Sequence, residues 1–402
     1  MTAALWATLT ASAAFGQPAG GQPRLPVGYV LDTASPSMNR TGGQKWTPPA
    51  LGRRYFVHLF SSGRPQYESA VSFFPKPDPH QLERNTHWLR CVGALRGAKG
   101  APGGGVAVYG VVDLLHWEQL TAPEPHPFRV SHPEYFEVDR YGTPGQEADE
   151  KYVSLHVPEV RSALLEMVRE VGRRFPWLDG LAVRAEWCAQ YLRGYSQAQR
   201  AAYLRHAALD PMDLTLSDKA SEERTRLLDW CRWRQDELTE FVGEVVAAYR
   251  AEQPQDRVLA VARGDQYIVD PVRMGCAACD WLAWVRRGFV QGVLLTGRWD
   301  DPRLAGAWQV SKRLAAETGK DCVLSPVISP TCRYQRVGVK PQVEALRQQD
   351  PGLGDLIFWP EKATDWDDIE HHLGATIVQR EKPRDAVPPL AGPNAQTQEA
   401  AK

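Results

Sequence analysis

Apolar and polar residues alternate along the chain in two regular periods, and the clearest example runs from Ser154 to Cys188. Pro158 suits the first turn of a helix, where its missing N–H would have no intrahelical partner. After it, apolar residues recur at steps of three and four, which predicts a helix with one buried face. These residues are Val160, Leu164, Leu165, Val168 and Val171. The turn PWLDG and the apolar run LAVRAEW then predict a short buried strand, so this stretch forms half of an α/β unit.

The same alternation of helix and strand patterns extends over most of the chain. Seven other runs are rich in apolar and β-branched residues and end in turn residues, which predicts strands. They are Pro26–Asp32, Arg54–Gly63, Gly105–Trp117, Arg257–Asp265, Gly292–Asp300, Asp321–Ser329 and Gly354–Lys362. Helical patterns separate the runs, which predicts the α/β class and a single closed (β/α)8 TIM barrel. Two long segments, Glu118–Lys151 and Tyr191–Glu223, are predicted to be loops on the carboxyl face of this barrel.

The two ends of the chain differ from this pattern. Residues 1–24 combine a short apolar run with a Gly/Pro/Gln spacer, which predicts a secretory signal peptide too short to span a bilayer. Residues 25–380 are assigned to the barrel, and the polar residues 381–402 to a disordered tail. The sequence therefore predicts an extracytoplasmic protein, secreted, periplasmic or in the cell envelope, with no stable membrane insertion after the signal is removed.

Composition and charge restrict the partners. A formal net charge of -1 and a pI of about 6.8 provide no basic surface for nucleic acid. Fourteen tryptophans are typical of sugar-binding clefts, although tryptophan is also a core residue. Cys276 and Cys279 form a CxxC, but no second pair completes a zinc-binding pattern. We therefore predict no zinc site. We also predict no other metal and no cofactor. The sequence leaves open whether Cys322 and Cys332 form a disulfide, and it leaves the oligomeric state open.

Five segments, in their order along the chain, resemble the glycosyl-hydrolase-like family 10 barrels of bacteria. They are GVAVYGVVDLLHW, HPEYFEVDRYG, HVPEVRSALLEMVREVGRRFPWLDGLAV, WCRWRQDELTEFVGEV and CDWLAWVRRGFVQGVLL. The resemblance covers about Pro26 to Arg380. It implies a (β/α)8 fold, an exported or envelope location, and a polysaccharide or oligosaccharide, including cell-wall glycan, as the substrate.

Acidic residues at the ends of predicted strands are the candidate catalytic groups, because barrel chemistry occurs beyond the carboxyl ends of the strands. Glycoside hydrolysis needs one protonated and one ionised carboxyl group. The candidates are Asp113, Glu186 and Asp265, with Glu186 as the general acid. The alternative role of Glu186 is a salt bridge to Arg184, and the alternative role of Asp265 is local capping of a turn.

Aromatic residues also lie just past the predicted strand ends. Trp117, Trp187, Trp299 and Trp359 have this position, which predicts a platform for sugar rings. Three further residues near these ends are predicted to contact the substrate. They are His116, Arg184 and Glu361. A structural role at the rim is the alternative for His116.

Two function classes follow from these residues. The first is a glycoside hydrolase that uses the carboxylates at the rim. The alternative is a glycan-binding barrel without catalysis, because Arg184 follows DGLAV where the family commonly has an acid, and VLSPVIS does not end in a carboxylate. Two rim carboxylates within about 5 to 10 Å of each other favour the enzyme. Isolated carboxylates, each held by an arginine, favour the binding protein.

Overall fold

The structure, a computed structural model, describes residues 27–31, 53–77, 79–97, 106–119, 125–142, 150–186, 193–214, 222–265, 267, 278–332, 335–360 and 363–373. Eight parallel strands form its centre. They are β1 (Val27–Leu31), β2 (Arg54–Ser61), β3 (Ala107–Asp113), β4 (Gly180–Arg184), β5 (Arg257–Arg263), β6 (Gly292–Thr296), β7 (Val323–Ile328) and β8 (Leu356–Phe358). Each lies within one of the runs that the sequence pattern predicts to be strands, except that β4 begins one residue earlier, at Gly180 of the predicted turn.

The strands close into a barrel. Each pairs in parallel with the strand that follows it in this order, and β8 returns to pair with β1, where Leu356 lies opposite Val27. On its other side β1 pairs with β2, with Gly28 opposite Arg54. The predicted (β/α)8 barrel is therefore confirmed.

The helices pack around this barrel. They are α1 (Pro79–Gly97), α2 (Pro127–Ser131), α3 (Pro158–Arg174), α4 (Gln197–Ala207), α5 (Glu222–Glu252), α6 (Trp281–Arg286), α7 (Ala307–Glu317), α8 (Val339–Gln349) and α9 (Ala363–Leu373). The apolar stripe predicted for α3 is buried, apart from Leu165, which is half-buried. Helix α3 packs against α5. Burial of these stripes stabilises both helices more than their intrinsic propensity does.

Alternate strand residues point into the barrel and fill it with apolar side chains, as the two-residue period of a strand requires. These side chains include Phe56, Val111, Ala182, Val261 and Ile357. The residues two positions further along each strand share the same face but lie nearer the carboxyl end. They are His58, Asp113, Arg184, Arg263 and Trp359. The topology therefore places a polar layer, which we call the upper layer, on top of the apolar interior.

The two long segments predicted to be loops contain regular structure. Helix α2 and the 3-10 turn Pro133–Tyr135 lie in the first segment, whose last strand Glu150–Tyr152 pairs antiparallel with His116–Gln119. The second segment contains α4. Both follow the carboxyl end of a barrel strand, β3 or β4. In the described part of the second segment, Tyr195 and Tyr203 pack in an apolar cluster with Trp230 and Trp233, and local periodicity does not report such packing.

The two predicted terminal segments, residues 1–24 and 381–402, lie outside the described residues. Within the described part of the chain, no helix combines the length and apolar character needed to cross a bilayer. Cys279 and Cys322 have free thiols, so the structure does not contain the disulfide between Cys322 and Cys332 that the sequence leaves open.

Candidate functional site

Arg184, at the end of β4, joins two candidate catalytic carboxylates. Its Nη1 donates to Oδ2 of Asp113 at 3.1 Å, and its Nη2 donates to Oε2 of Glu186 at 3.4 Å. A backbone hydrogen bond from the Leu114 N–H to the Arg184 carbonyl, 3.0 Å long, ties the ends of β3 and β4 together. Because both carboxylates contact one guanidinium group, they are less than about 10 Å apart, the upper limit for the two carboxyl groups of glycoside hydrolases.

Asp113 is buried, with 3% of its surface exposed, and is surrounded by positive or polar groups. Burial alone would raise its pKa, but Arg184, followed by the hydrogen bond and charge of His116 and by His58, holds the pKa of this carboxyl below its usual value. His116 places Nδ1 at 3.7 Å from Oδ2 of Asp113 and packs its ring on Tyr152. Asp113 is therefore an ionised carboxylate at neutral pH, suited to act as nucleophile or base.

Glu186 lies two residues beyond Arg184 and is also buried, with 7% of its surface exposed. Its contact with Arg184 is near the outer limit of hydrogen-bond length, so Arg184 holds it less firmly than Asp113. The charge of Glu186 also acts on Arg263, which belongs to the next strand of the barrel. Glu186 is thus adjacent to two strand ends, where its carboxyl group can reach a ligand at the mouth.

Asp265, the third candidate, forms a two-point ion pair with Arg263. Arg263 donates from Nε to Oδ1 at 2.8 Å and from Nη2 to Oδ2 at 2.5 Å. Burial opposes the charge of Arg263, but the hydrogen bonds and charge of Asp265, followed by Glu186, raise the pKa of the guanidinium above its usual value. Both acceptor oxygens of Asp265 contact the arginine, an arrangement that positions Arg263 and does not suit a proton donor. The sequence analysis considered Asp265 as a turn cap and did not predict its ion pair with Arg263.

His58 is a member of the upper layer that the sequence interpretation omits. It is 1% exposed, and neither ring nitrogen has a hydrogen-bond partner among the described residues. Its ring packs edge-on against Trp359, with centroids 5.3 Å apart. A buried polar group without a partner is costly, and in a native protein it calls for an explanation. The sequence feature that could have identified His58 is a histidine inside the otherwise apolar run RYFVHLF, at a position on the interior face of β2.

The predicted tryptophan platform needs correction. Trp117 and Trp299 are each 1% exposed, and their indole N–H groups donate to the carbonyls of Leu114 and Val327. Neither ring offers a face to a sugar. The hairpin that starts at His116 explains this for Trp117, because neighbouring strand residues point to opposite faces, so that His116 faces Asp113 and Trp117 faces the aromatic core.

Trp359 is the predicted platform residue that is half-buried at the mouth, where the guanidinium of Arg184 lies 5.7 Å from its ring centre. Trp187 and Glu361, the other two predicted contacts, lie outside the described residues. Among the residues that the structure describes, no cluster of three or more His, Cys, Asp or Glu side chains could hold a metal ion.

We expect Trp117→Phe to lower the free energy of unfolding by about 1–3 kcal/mol, because it removes the hydrogen bond to Leu114 and leaves a gap in a close-packed core. Urea denaturation measures this change. Trp177→Phe, at a half-buried position after α3, is the matched control and should change stability less. Equal stability of the wild type and Trp117→Phe would contradict a core role for Trp117.

Comparison with known proteins identifies the family of this chain. The sequence matches the family described as glycosyl hydrolase-like 10 over residues 114–331, which is more than half of the chain. The chain belongs to this family. The family resemblance inferred from the sequence is therefore confirmed. No curated protein matches the sequence at a significant level.

Solved structures support the fold. The PgaB (BpsB) glycoside hydrolase domain from Bordetella bronchiseptica matches with a TM-score of 0.52 and 13% identity, over 88% of this chain and 99% of that one. A β-galactosidase from the psychrophilic Marinomonas ef1 matches with a TM-score of 0.53 and 13% identity. This second match covers 83% of this chain and 54% of the galactosidase. At this level of identity the matches establish the barrel fold that these glycosidases share.

Proposed function

We propose that this protein is a glycoside hydrolase that cleaves a polysaccharide or oligosaccharide at the carboxyl mouth of the barrel. The observation that carries this proposal is the pair formed by Asp113 and Glu186, both in contact with Arg184 and so close enough to flank one glycosidic bond. Family membership supports the same class of activity.

The two carboxyl groups differ in a way that suits the two roles. Asp113, whose pKa Arg184, His116 and His58 lower, is the ionised group that acts as nucleophile or base. Glu186, held by the longer contact to Arg184, is the general acid that protonates the leaving oxygen. Trp359 stacks on a sugar ring, and His116 holds Asp113 in place.

The N-terminal apolar run supports an extracytoplasmic location, and cell-wall glycan is the substrate we propose within the larger class of polysaccharides. An assay tests the activity directly. Purified protein is incubated with a panel of bacterial cell-wall and plant glycans, and new reducing ends are measured. Their release supports the hydrolase.

A glycan-binding barrel without catalysis is the second candidate. The observation that favours it is that Asp113, Glu186 and Asp265 all face an arginine. A glycan that binds to the protein without release of reducing ends supports this candidate. A panel in which no glycan binds and none is cleaved contradicts both.

His58 supplies a further prediction. We expect His58→Phe to leave the free energy of unfolding unchanged or to raise it by about 1–3 kcal/mol, because it removes buried polar atoms that have no partner in the described structure. We propose that His58, beside Asp113, donates one hydrogen bond to the substrate, so turnover should fall by about tenfold when it is removed. Thermal unfolding and the reducing-end assay measure the two effects. His371→Phe, on the exposed side of α9, is the control, and a strongly destabilised His58→Phe would show that the histidine is structural.

A further inference from the structure

Three neighbouring strands of the barrel end in the same short pattern, an arginine followed two residues later by an acid. The pairs are Arg184 with Glu186 after β4, Arg263 with Asp265 after β5, and Arg298 with Asp300 after β6. In each pair the two side chains form an ion pair with each other. We call Arg184, Arg263 and Arg298 the arginine row.

The arginine of each pair is nearer to solvent than its acid. The side chains of Arg184, Arg263 and Arg298 are 24%, 31% and 41% exposed, whereas those of their acids are 9%, 20% and 19% exposed. The guanidinium groups are thus more exposed to solvent than the carboxylates. A ligand that enters the mouth meets positive charge first, and at short range the nearest charge dominates its interaction.

The ion pairs also fix the direction of the guanidinium groups. The two hydrogen bonds from Arg263 to Asp265 use Nε and Nη2, so neither of them uses Nη1. Arg298 meets Asp300 through the same two nitrogens, at 3.4 Å each. With Nε and Nη2 held by Asp265, Arg263 can present its Nη1 donors to a second carboxylate.

Neighbouring pairs are coupled electrically. Glu186 acts on Arg263, and Asp265 acts on Arg303, which lies in the 3-10 turn Pro302–Leu304 after β6. Alternating charges of this kind keep each arginine charged and oriented without a bound ligand. Such preorganisation lowers the cost of ordering side chains when an anion binds.

We propose that Arg263 and Arg298, the two more exposed members of the arginine row, bind carboxylate groups of the glycan, so that the substrate is an acidic polysaccharide. This inference rests on the proposed function, because it names the substrate class of the same site. The carboxylate can belong to a sugar ring, as in a uronic acid polymer, or to a peptide attached to the sugar, as in cell-wall peptidoglycan. Both sources present the same chemistry to Arg263.

The test compares each acidic ligand with its neutral form. Oligouronates are measured beside the same oligosaccharides after reduction of their carboxyl groups, and peptidoglycan fragments beside fragments whose carboxyl groups are amidated. Calorimetric titration should show binding to the acidic form of one of these ligands that is about tenfold or more tighter than to its neutral form. The ligand that shows the difference identifies the source of the carboxylate. Added salt should weaken the acidic complex.

Variants of Arg263 and Arg298 test whether these residues bind the carboxylate of the acidic ligand. Arg263→Gln and Arg298→Gln should each weaken the acidic complex by about tenfold while the neutral form binds as before. Arg298 is the more exposed of the two, so its variant remains informative if Arg263→Gln folds poorly. Arg287→Gln, which breaks a similar ion pair with Glu240 on the outside of the barrel, is the matched control and should bind like the wild type.

The outcomes separate this inference from the function on which it rests. Neutral glycans that are cleaved, or bound as tightly as their acidic forms, overturn the acidic substrate but leave the hydrolase or binding barrel in place. Row variants that bind acidic glycans like the wild type also overturn it. Absence of binding and cleavage with every glycan, acidic or neutral, refutes both.

Discussion

Glu186→Gln should lower the turnover of glycan hydrolysis by about 100- to 10,000-fold, the usual effect of losing a general acid. Glutamine keeps the shape of the side chain and can still accept a hydrogen bond from Arg184, but it has no proton to transfer. The melting temperature should stay unchanged or rise slightly, because residues of functional sites often reduce stability. Glycan binding should survive, since the substitution removes only the proton donor.

The measurement compares reducing ends released by wild type and variant, together with thermal unfolding of both. Glu240→Gln, which makes the same chemical change in an exposed ion pair with Arg287, is the control and should retain full activity. Undiminished activity of Glu186→Gln would remove Glu186 from the mechanism. A variant that loses activity because it unfolds would assign Glu186 to the fold.

Much of the barrel was predictable because its determinants are local. A buried parallel strand needs a continuous apolar run, and a helix on the outside needs an apolar stripe, so both leave periodic patterns in the sequence. Residues at the strand ends, such as Asp113 and Glu186, follow from the same patterns, since barrel topology brings all carboxyl ends to one face. The sequence thus located the candidate carboxylates without any knowledge of contacts.

The environment of those residues was less predictable, because it depends on contacts between distant parts of the chain. Trp117 was predicted to be a platform residue. The pairing of its strand with Glu150–Tyr152 instead places its ring in the core. Arg184 was predicted to contact the substrate, but its hydrogen bond to Asp113, which lies 71 residues away in sequence, follows only from the pairing of β3 with β4. His58 was not predicted, because its neighbours in sequence are apolar and only the closed barrel places it beside Asp113.

Arg184→Met should produce the largest loss of stability, about 3–5 kcal/mol in the free energy of unfolding at neutral pH. Methionine fills a similar volume but leaves the buried carboxylate of Asp113 without the guanidinium that offsets its burial. Urea denaturation at pH 7 measures the loss. Arg287→Met, in the exposed pair with Glu240, is the matched control and should cost about 0–1 kcal/mol.

The pH dependence of this loss tests its electrostatic origin. In the wild type the pKa of Asp113 is lower in the folded than in the unfolded protein, so Asp113 adds stability above the unfolded value of about 4, and this is lost as the pH falls through the folded value. Without Arg184, burial should raise the pKa of Asp113 in the folded protein above its value in the unfolded protein. The variant should therefore gain stability relative to the wild type as the pH falls. The deficit of Arg184→Met should therefore shrink between about pH 6 and pH 4, and Arg184→Met combined with Asp113→Asn should recover stability at pH 7. A deficit that does not change with pH, and that persists in the double variant, would show that Arg184 stabilises the barrel by packing and not by its charge.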